Sequence, residues 1–371
     1  VRGAQRQEIP AHLRDAHRDG SAFGDGIGYR YPHSFAEHWV SQQYLPDALQ
    51  GQVFWKPSLQ GWEGQRRQKM LERRAAQLAA AAELAQENPL LVTSGPEIPE
   101  LETWVQRQLG YAGDRFQKHA ERLWDGVNWQ RHHRVLVIGG RSLLWALDPL
   151  QGVPEGSVTI LSGGLADQAR LTAEIDLLDP MLQPVLLGES CVALDALPLE
   201  QRFEWVGGRL NSNDLARMGM DEFWTSISRR CTPGACLRLL ISHAVLGPAR
   251  SLKHILVPEQ VNTVEQELLS RLIDLEEIWL HEKRLEATLR RKLGKLGWDL
   301  RWEEWDEHFE LHIDEGLEDR WLGEGHVYRT LLAKDSSSDA INMLRGLLKR
   351  LRGKNLPQQL IHHLLIGTYK H

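Results

Sequence analysis

The sequence is poor in cysteine, in long apolar runs and in surplus positive charge, and each shortage excludes a class of protein. Its three cysteines, Cys191, Cys231 and Cys236, are an odd number in 371 residues, so we expect reduced thiols and no disulfide framework. We also expect no metal site. No apolar run approaches the roughly 20 residues of a membrane helix, which favours a cytoplasmic protein without a membrane partner. The net charge of −6 restricts any nucleic-acid contact to a local patch.

A nucleotide-binding phosphate loop is also missing. Because the chain has no Gly-x-x-x-x-Gly-Lys-Ser/Thr pattern, it does not itself hold a nucleoside triphosphate in the P-loop manner. It begins at Val1 and opens with a polar stretch over residues 2–8, as a piece of a longer protein would, and we expect a further domain upstream. The length allows two domains, since single domains usually run to about 100 to 200 residues.

The first fifth of the chain carries an ordered series of short patterns. A Pro-x-His-Leu-Arg-x-Ala pattern at Pro10–Ala16 precedes a glycine-rich turn at Gly24–His33 and a Tyr-x-Pro at Tyr44–Pro46. Strong helix formers then predict one long helix over Glu63–Gln86. Taken alone, the glycine-rich turn is typical of a surface loop. Taken in order, these patterns resemble the C-terminal helical domain of RarA/MgsA-type AAA+ ATPases over Ile9–Arg74.

This resemblance implies a function in DNA replication, recombination and repair. The family comprises clamp-loader-like ATPases that act at stalled forks and DNA ends, and its C-terminal helical domain holds the subunits together as a tetramer. Partners of this chain would then be further copies of itself, DNA at forks or ends through the full-length protein, and replication or repair proteins. ATP and Mg²⁺ would bind in the missing upstream domain.

Beyond residue 100 the pattern changes to that of an α/β domain. The apolar run His133–Ile138 leads into Gly139-Gly140, as in a strand, tight turn and helix. Further strands are predicted at Ser157–Leu161, Phe203–Gly208 and Ala235–Ser242, with helical patterns between them, which is typical of a Rossmann-like doubly wound sheet. We therefore predict an all-α oligomerisation domain at residues 1–90, a linker at 91–100 and an α/β domain at 101–371 with a helical insertion near 260–295.

This second part resembles class I S-adenosylmethionine-dependent methyltransferases. The matching stretches are the first strand, an Asp-Ala-x-x-Leu-Pro-like segment, the strand that follows it, a Pro-Gly turn before the fifth strand and a last antiparallel strand pair. In this sequence they are Val135–Gly139, Leu194–Pro198, Phe203–Val206, Cys231–Leu237 and the pair Gly297–Leu300 with Gln358–Tyr369.

The resemblance implies five cofactor-binding positions and also shows departures. The positions are Gly139, Gly140, Ser142, Ser162 and Asp195. However, Arg141 and Leu143 stand where the family has further glycines, and Ser162 replaces a carboxylate, which would hold ribose hydroxyls more strongly. Most glycines at such corners serve chain geometry alone. No catalytic residue can be named.

We therefore expect a degenerate, structural or binding domain that takes no cofactor, with oligomerisation and recruitment as its functions. The alternative is an active S-adenosylmethionine-dependent methyltransferase whose N-terminal helices dimerise it.

Two other patterns invite functional hypotheses. The histidine pairs His132-His133, His308/His312 and His362-His363 suggest metal binding, because histidines four apart on a helix can share an ion, but no carboxylate pattern accompanies them and we favour structural roles. The basic run Arg345–Lys354 is the best candidate for a phosphate-contacting patch, although a solvated helix end is the commoner case.

Overall fold

The computed structural model of this chain describes residues 60–87 and 113–370, except positions 177, 189, 199, 219–220, 258–260, 283, 314, 324–326 and 335–337. The predicted glycine-rich turn, the Tyr-x-Pro and the 91–100 linker lie outside these residues. Among the described residues, no helix is both long and apolar enough to cross a membrane.

The second part of the chain forms a seven-stranded sheet. Its strand order is β3-β2-β1-β4-β5-β7-β6. The first five strands in that order pair in parallel, and β7 runs antiparallel to β5. The strands are β1 Arg134–Gly140, β2 Ser157–Ser162, β3 Val185–Gly188, β4 Phe203–Asn211, β5 Cys231–Ala244, β6 Trp298–His312 and β7 Asn355–Tyr369. This confirms the predicted Rossmann-like doubly wound class.

Helices lie before the first strand and between the strands. The first, α1, runs over Gly61–Glu87 and confirms the long helix predicted there. The others are α2 113–124, α3 Leu147–Gly152, α4 Leu165–Ile175, α5 Cys191–Asp195, α6 Ser212–Met218, α7 Glu222–Arg229, α8 Pro248–Ile255, α9 Thr263–Glu282, α10 Glu286–Lys295, α11 Glu315–Leu322, α12 Val327–Lys334 and α13 Ser338–Arg350.

The central strands form because their side chains are apolar on both faces. From Val135 to Gly140 every residue of β1 is buried, as expected for a parallel strand covered by helices on both sides. One continuous core includes Leu136, Phe203, Trp224 and Leu239, all at most 2% exposed. Burial of each such side chain contributes roughly 1.5–3 kcal/mol.

Two local predictions differ from the structure. The Pro-Gly turn expected before the fifth strand lies inside β5, where Gly234 has φ +83°. There the pairing with β4 shifts register between Phe203 and Trp205, because extra residues form a bulge without ending the strand. The four-residue strand β3 was missed, since so short an apolar run carries little periodicity.

The described chain divides into two compact units made of non-consecutive segments. The sheet unit contains Gln117–Ser251, Ile273–Phe309 and Pro357–His371. The described residues of the other unit fall within 60–116, Leu252–Leu272 and Glu310–Leu356, and they include the mutually packed helices α11, α12 and α13. The domain boundaries predicted from sequence stay a prediction.

In the unit that contains α11, α12 and α13, two arginines of the basic run predicted at Arg345–Lys354 form ion pairs. Arg345 Nε lies 2.9 Å from Glu318 Oε1, and Arg350 Nη2 lies 2.8 Å from Glu265 Oε1.

Candidate functional site at the carboxyl edge of the sheet

The strand order reverses between β1 and β4, which defines the place where a doubly wound sheet binds its ligand. From β1 the chain proceeds to β2 and β3 on one side, and from β4 to β5 on the other. We call the side where these parallel strands end the carboxyl edge. β1 ends there at Gly140 and β4 at Asn211.

The glycine pair at the end of β1 is required by strand packing. Gly139 has φ +67°, and a Cβ on it would overlap the backbone carbonyl oxygen of Arg209 in β4. A Cβ on Gly140 would overlap the side chain of Ile160 and lie 2.9 Å from the carbonyl oxygen of Leu161 in β2. Both glycines therefore allow the close approach of neighbouring strands, whatever ligand the edge holds.

The turn after the glycines is capped by the protein's own acceptors. The backbone N–H of Leu144 donates to Ser142 Oγ at 3.2 Å, and that of Leu143 donates to Glu174 Oε2 at 2.8 Å. The residues of this turn, Leu143–Ala146, are all buried. N–H groups that would face a ligand at a helix start therefore bind carboxylate and hydroxyl oxygens of the chain.

Arg141 forms a buried ion pair with Asp214 at the same edge. Their side chains are 5% and 1% exposed. Asp214 Oδ2 also accepts from the backbone N–H of Asn211 at 2.8 Å, and Asn211 Oδ1 accepts from that of Asp214 at 3.0 Å. The guanidinium of Arg141 is thus neutralised by a carboxylate in the first turn of α6.

The structure brings four of the five predicted positions together. Ser162, the last residue of β2, pairs in register with Gly140, and its hydroxyl donates to the carbonyl of Leu187 at 3.2 Å. Asp195 is exposed, and its backbone oxygen accepts from Arg230 at 2.9 Å. Arg230 immediately precedes β5, so Asp195 lies at the amino-terminal ends of the strands, away from the other four.

A second polar cluster lies further along the carboxyl edge, where β4 and β5 end. His243 Nδ1 lies 2.9 Å from Ser212 Oγ at the start of α6, and His243 Nε2 lies 3.0 Å from Glu286 Oε2. His363 of β7 completes a group whose potential ligand atoms all lie within 4.8 Å of one another. We call His243, Glu286 and His363 the edge triad.

Burial and mutual charge set the ionisation of the triad. Burial raises the pKa of Glu286, but the neighbouring His243 and His363 outweigh this and leave it below its ordinary value. Burial lowers the pKa of His363, which favours the neutral imidazole.

A second histidine cluster lies on the opposite face of β7. His362 Nδ1 lies 2.9 Å from Ser242 Oγ, and its Nε2 lies 3.0 Å from Glu307 Oε2. His119 of α2 lies 3.4 Å from the same carboxylate, and burial is the largest cause that lowers its pKa to about 4. Here the imidazole of His362 is hydrogen-bonded at both nitrogens.

Sequence reasoning did not find these clusters because it considered histidines close together in the chain. His362 and His363 face opposite sides of the sheet, as successive strand residues must. His308 and His312 lie in β6, where four positions span about 13 Å, so the helix-spacing hypothesis was wrong for them. Asp214 and Glu286 carried no local signal.

Comparison with known proteins finds a family match for the first 74 residues of the chain. Residues 1–74 match the family described as MgsA AAA+ ATPase C terminal. The replication-associated recombination protein A of Bacillus subtilis is 44% identical over 62 residues, covering 16% of this chain and 15% of that protein. An uncharacterised AAA domain-containing protein of Mycobacterium tuberculosis is 43% identical over 56 residues, covering 15% of this chain and 12% of that protein. The chain thus spans no more than about 15% of the length of these curated relatives.

Solved structures similar to this chain, at low identity, include methyltransferases. A putative methyltransferase from Bacillus halodurans has 13% identity and a TM-score of 0.40, covering 68% of this chain and 98% of its own. A geranyl diphosphate C-methyltransferase from Streptomyces coelicolor has 10% identity and a TM-score of 0.37, covering 80% and 98%. The strand order, with β7 antiparallel to β5, carries the fold assignment. Residues 1–74 thus match the MgsA C-terminal family, and the sheet unit is a doubly wound sheet with β7 antiparallel to β5.

Proposed function

We propose that this chain is the C-terminal part of an AAA+ ATPase of DNA replication, recombination and repair, and that it assembles subunits and recruits them to replication or repair intermediates. The match of residues 1–74 to the MgsA C-terminal family carries this proposal. The N-terminal segment would hold the protein as a homotetramer, while the ATPase core, with its ATP and Mg²⁺, would lie upstream.

The sheet unit enters this proposal as a methyltransferase-like domain that does not transfer methyl groups. Support comes from the carboxyl edge, whose residues do not fit S-adenosylmethionine as the family's do. The guanidinium of Arg141 is buried against Asp214, the N–H of Leu143 is bound to Glu174, and the Ser162 hydroxyl donates to a backbone carbonyl. Separating the buried ion pair of Arg141 with Asp214 to make room for a cofactor would be strongly destabilising.

Calorimetric titration of the chain with S-adenosylmethionine and S-adenosylhomocysteine tests the second statement. We expect no heat of binding at high protein concentration. As a matched control, Asp195→Asn alters an exposed carboxylate at the other end of the strands and should leave the result unchanged. Micromolar binding would overturn the degenerate-domain proposal and favour the active methyltransferase.

Light scattering on the same sample tests assembly. We expect the mass of a tetramer over a wide concentration range, and a monomer at all concentrations would contradict the assembly role.

Because Arg345 and Arg350 form ion pairs with glutamates, we expect weak binding of a forked DNA duplex by this chain at physiological salt. Submicromolar affinity in fluorescence anisotropy would place the DNA contact in this chain instead of the upstream part.

A further inference from the structure

The edge triad brings three metal-ligating side chains from three separate elements to one buried point. His243 lies near the end of β5, Glu286 is the first residue of α10, and His363 lies on β7, opposite Ile241. His243 and His363 are 4% and 8% exposed and Glu286 is 12% exposed. Polar side chains this deeply buried are ordinarily hydrogen-bonded.

In the triad that rule is not met. Within the described chain, His243 Nε2, Glu286 Oε2 and His363 Nδ1 are all buried without a hydrogen-bond partner. The 3.0 Å between His243 Nε2 and Glu286 Oε2 therefore brings two atoms together without hydrogen-bond alignment. These atoms face carboxylates in ion pairs, His243 Nε2 with Glu286 and His363 Nδ1 with Glu304, and a cation placed among them would add the coordination that aligned hydrogen bonds do not supply.

A divalent metal ion would satisfy all three. Two donors bound at 2.0–2.1 Å to a tetrahedral ion lie about 3.4 Å apart, close to the separation of His243 and Glu286. The third group lies within 4.8 Å, so its ligand atom would have to approach the other two by up to about 1.4 Å to complete a tetrahedral set. Two imidazoles and one carboxylate form a ligand set that suits zinc and leave one coordination position open.

The surroundings orient the ligands as a metal site requires. Ser212 Oγ, 2.9 Å from His243 Nδ1, can accept the proton of that nitrogen, which leaves the Nε2 lone pair directed toward Glu286. The Trp302 ring packs on His363 with ring centroids 5.5 Å apart. A carboxylate oxygen of Glu304 lies 3.2 Å from His363 Nδ1, which adds negative charge beside the site.

We propose that His243, Glu286 and His363 bind a divalent transition-metal ion of the zinc type, held in place by Ser212, and that this ion ties α10 to strands β5 and β7. The proposal departs from the absence of a metal site expected from sequence, because the three ligands are separated by 43 and 77 positions (286 − 243 and 363 − 286). It does not depend on the proposed function, since the triad lies in the sheet unit whether or not the protein acts in replication.

The other histidine cluster supplies an internal control. It has the same composition, His119, Glu307 and His362, but both nitrogens of His362 are hydrogen-bonded, to Ser242 and to Glu307. An ion there would have to displace an existing hydrogen bond. We therefore expect metal to bind at the edge triad and not at this cluster.

The test is calorimetric titration of the full 371-residue chain, dialysed against EDTA, with ZnCl₂. Glu286→Gln keeps the size of the side chain and removes its charge, and we expect loss of one equivalent of tight binding, with affinity at least tenfold weaker at that site. Ser212→Ala should weaken binding by about 10–100-fold, as loss of an outer-shell partner does. Glu307→Gln, the matched control, should bind as the wild type does.

Unchanged zinc binding by Glu286→Gln would overturn the proposal, as would loss of that site in Glu307→Gln. Should Glu286→Gln fail to fold, the wild-type chain titrated with CoCl₂ still decides, because tetrahedral cobalt absorbs far more strongly in the visible than octahedral cobalt. An intense tetrahedral spectrum at one equivalent, abolished by competing ZnCl₂, supports the site. An octahedral spectrum overturns it.

Discussion

We predict that the ion pair of Arg141 with Asp214 stabilises the carboxyl edge. The loss of stability in a variant that lacks the pair measures this contribution. Asp214→Asn keeps the shape of the side chain and an acceptor for the Asn211 N–H but leaves the buried guanidinium without its counter-charge. Since both side chains are at most 5% exposed, breaking the pair should cost about 3–5 kcal/mol. For a unit of about 200 residues this corresponds to a fall in Tm of about 6–20 °C.

Urea and thermal unfolding, followed by far-ultraviolet circular dichroism, give the measurement. Arg141→Met should destabilise the chain to a similar extent, because it removes the positive charge that faces the buried Asp214 carboxylate. The double variant with Arg141→Met and Asp214→Leu should recover most of the loss, since apolar side chains can replace a buried pair at little net cost. If either single variant loses less than about 1 kcal/mol, the pair is not structural, and the proposal that the carboxyl edge does not fit S-adenosylmethionine loses one of its supports.

Three further predictions concern burial and backbone geometry. Burial lowers the His119 pKa to about 4 in the folded chain, whereas its ordinary value is 6.5. Between these two pH values His119 is protonated in the unfolded chain and neutral in the folded chain. Lowering the pH from 7 to 5 should therefore reduce the free energy of unfolding by about 2 kcal/mol. His119→Phe should abolish that part of the loss in urea titrations at both pH values, and an unchanged pH dependence would contradict the assignment. Gly139→Ala, with its positive φ and overlap with β4, should lower stability by more than about 2 kcal/mol, whereas Gly188→Ala, whose Cβ meets nothing within 4 Å, should be nearly neutral; equal effects would refute the packing argument. Burial raises the pKa of the Cys231 thiol to about 12, so iodoacetamide at pH 8 should label it only after denaturation, as mass spectrometry of native and unfolded samples would reveal.

The sheet was predictable where its strands are long and apolar. Mostly apolar patterns indicated strands at the run before Gly139, at Ser157–Leu161 and at Phe203–Gly208. Such patterns are typical of parallel strands, because helices cover both faces of the sheet. The pattern over residues 263–293 predicted helix, and the structure has two helices there, α9 and α10. The sequence pattern suggested one continuous helix, so nothing in it indicated that Glu286 begins a separate helix.

The positions predicted to bind a cofactor illustrate a different limit. The strand-to-glycine patterns placed Gly139, Gly140 and Ser162 at one edge, because parallel strands end on the same side of a sheet. Asp195 was grouped with them through a resemblance of local sequence, and only the path of α5 put it at the opposite ends of the strands. Short motif similarity carries no information about which end of a sheet a segment reaches.

By itself, then, the sequence indicated an MgsA-like segment at its start and determined the long helix α1 and the central strands, because helix and strands depend on local propensity and on apolar periodicity. The tertiary structure alone decided which polar groups meet. Arg141 finds Asp214 across 73 positions, and adjacent histidines 362 and 363 enter different clusters on opposite faces of β7. Such contacts depend on strand order, register and the two-residue alternation of a strand, which combine only when the whole sheet is assembled.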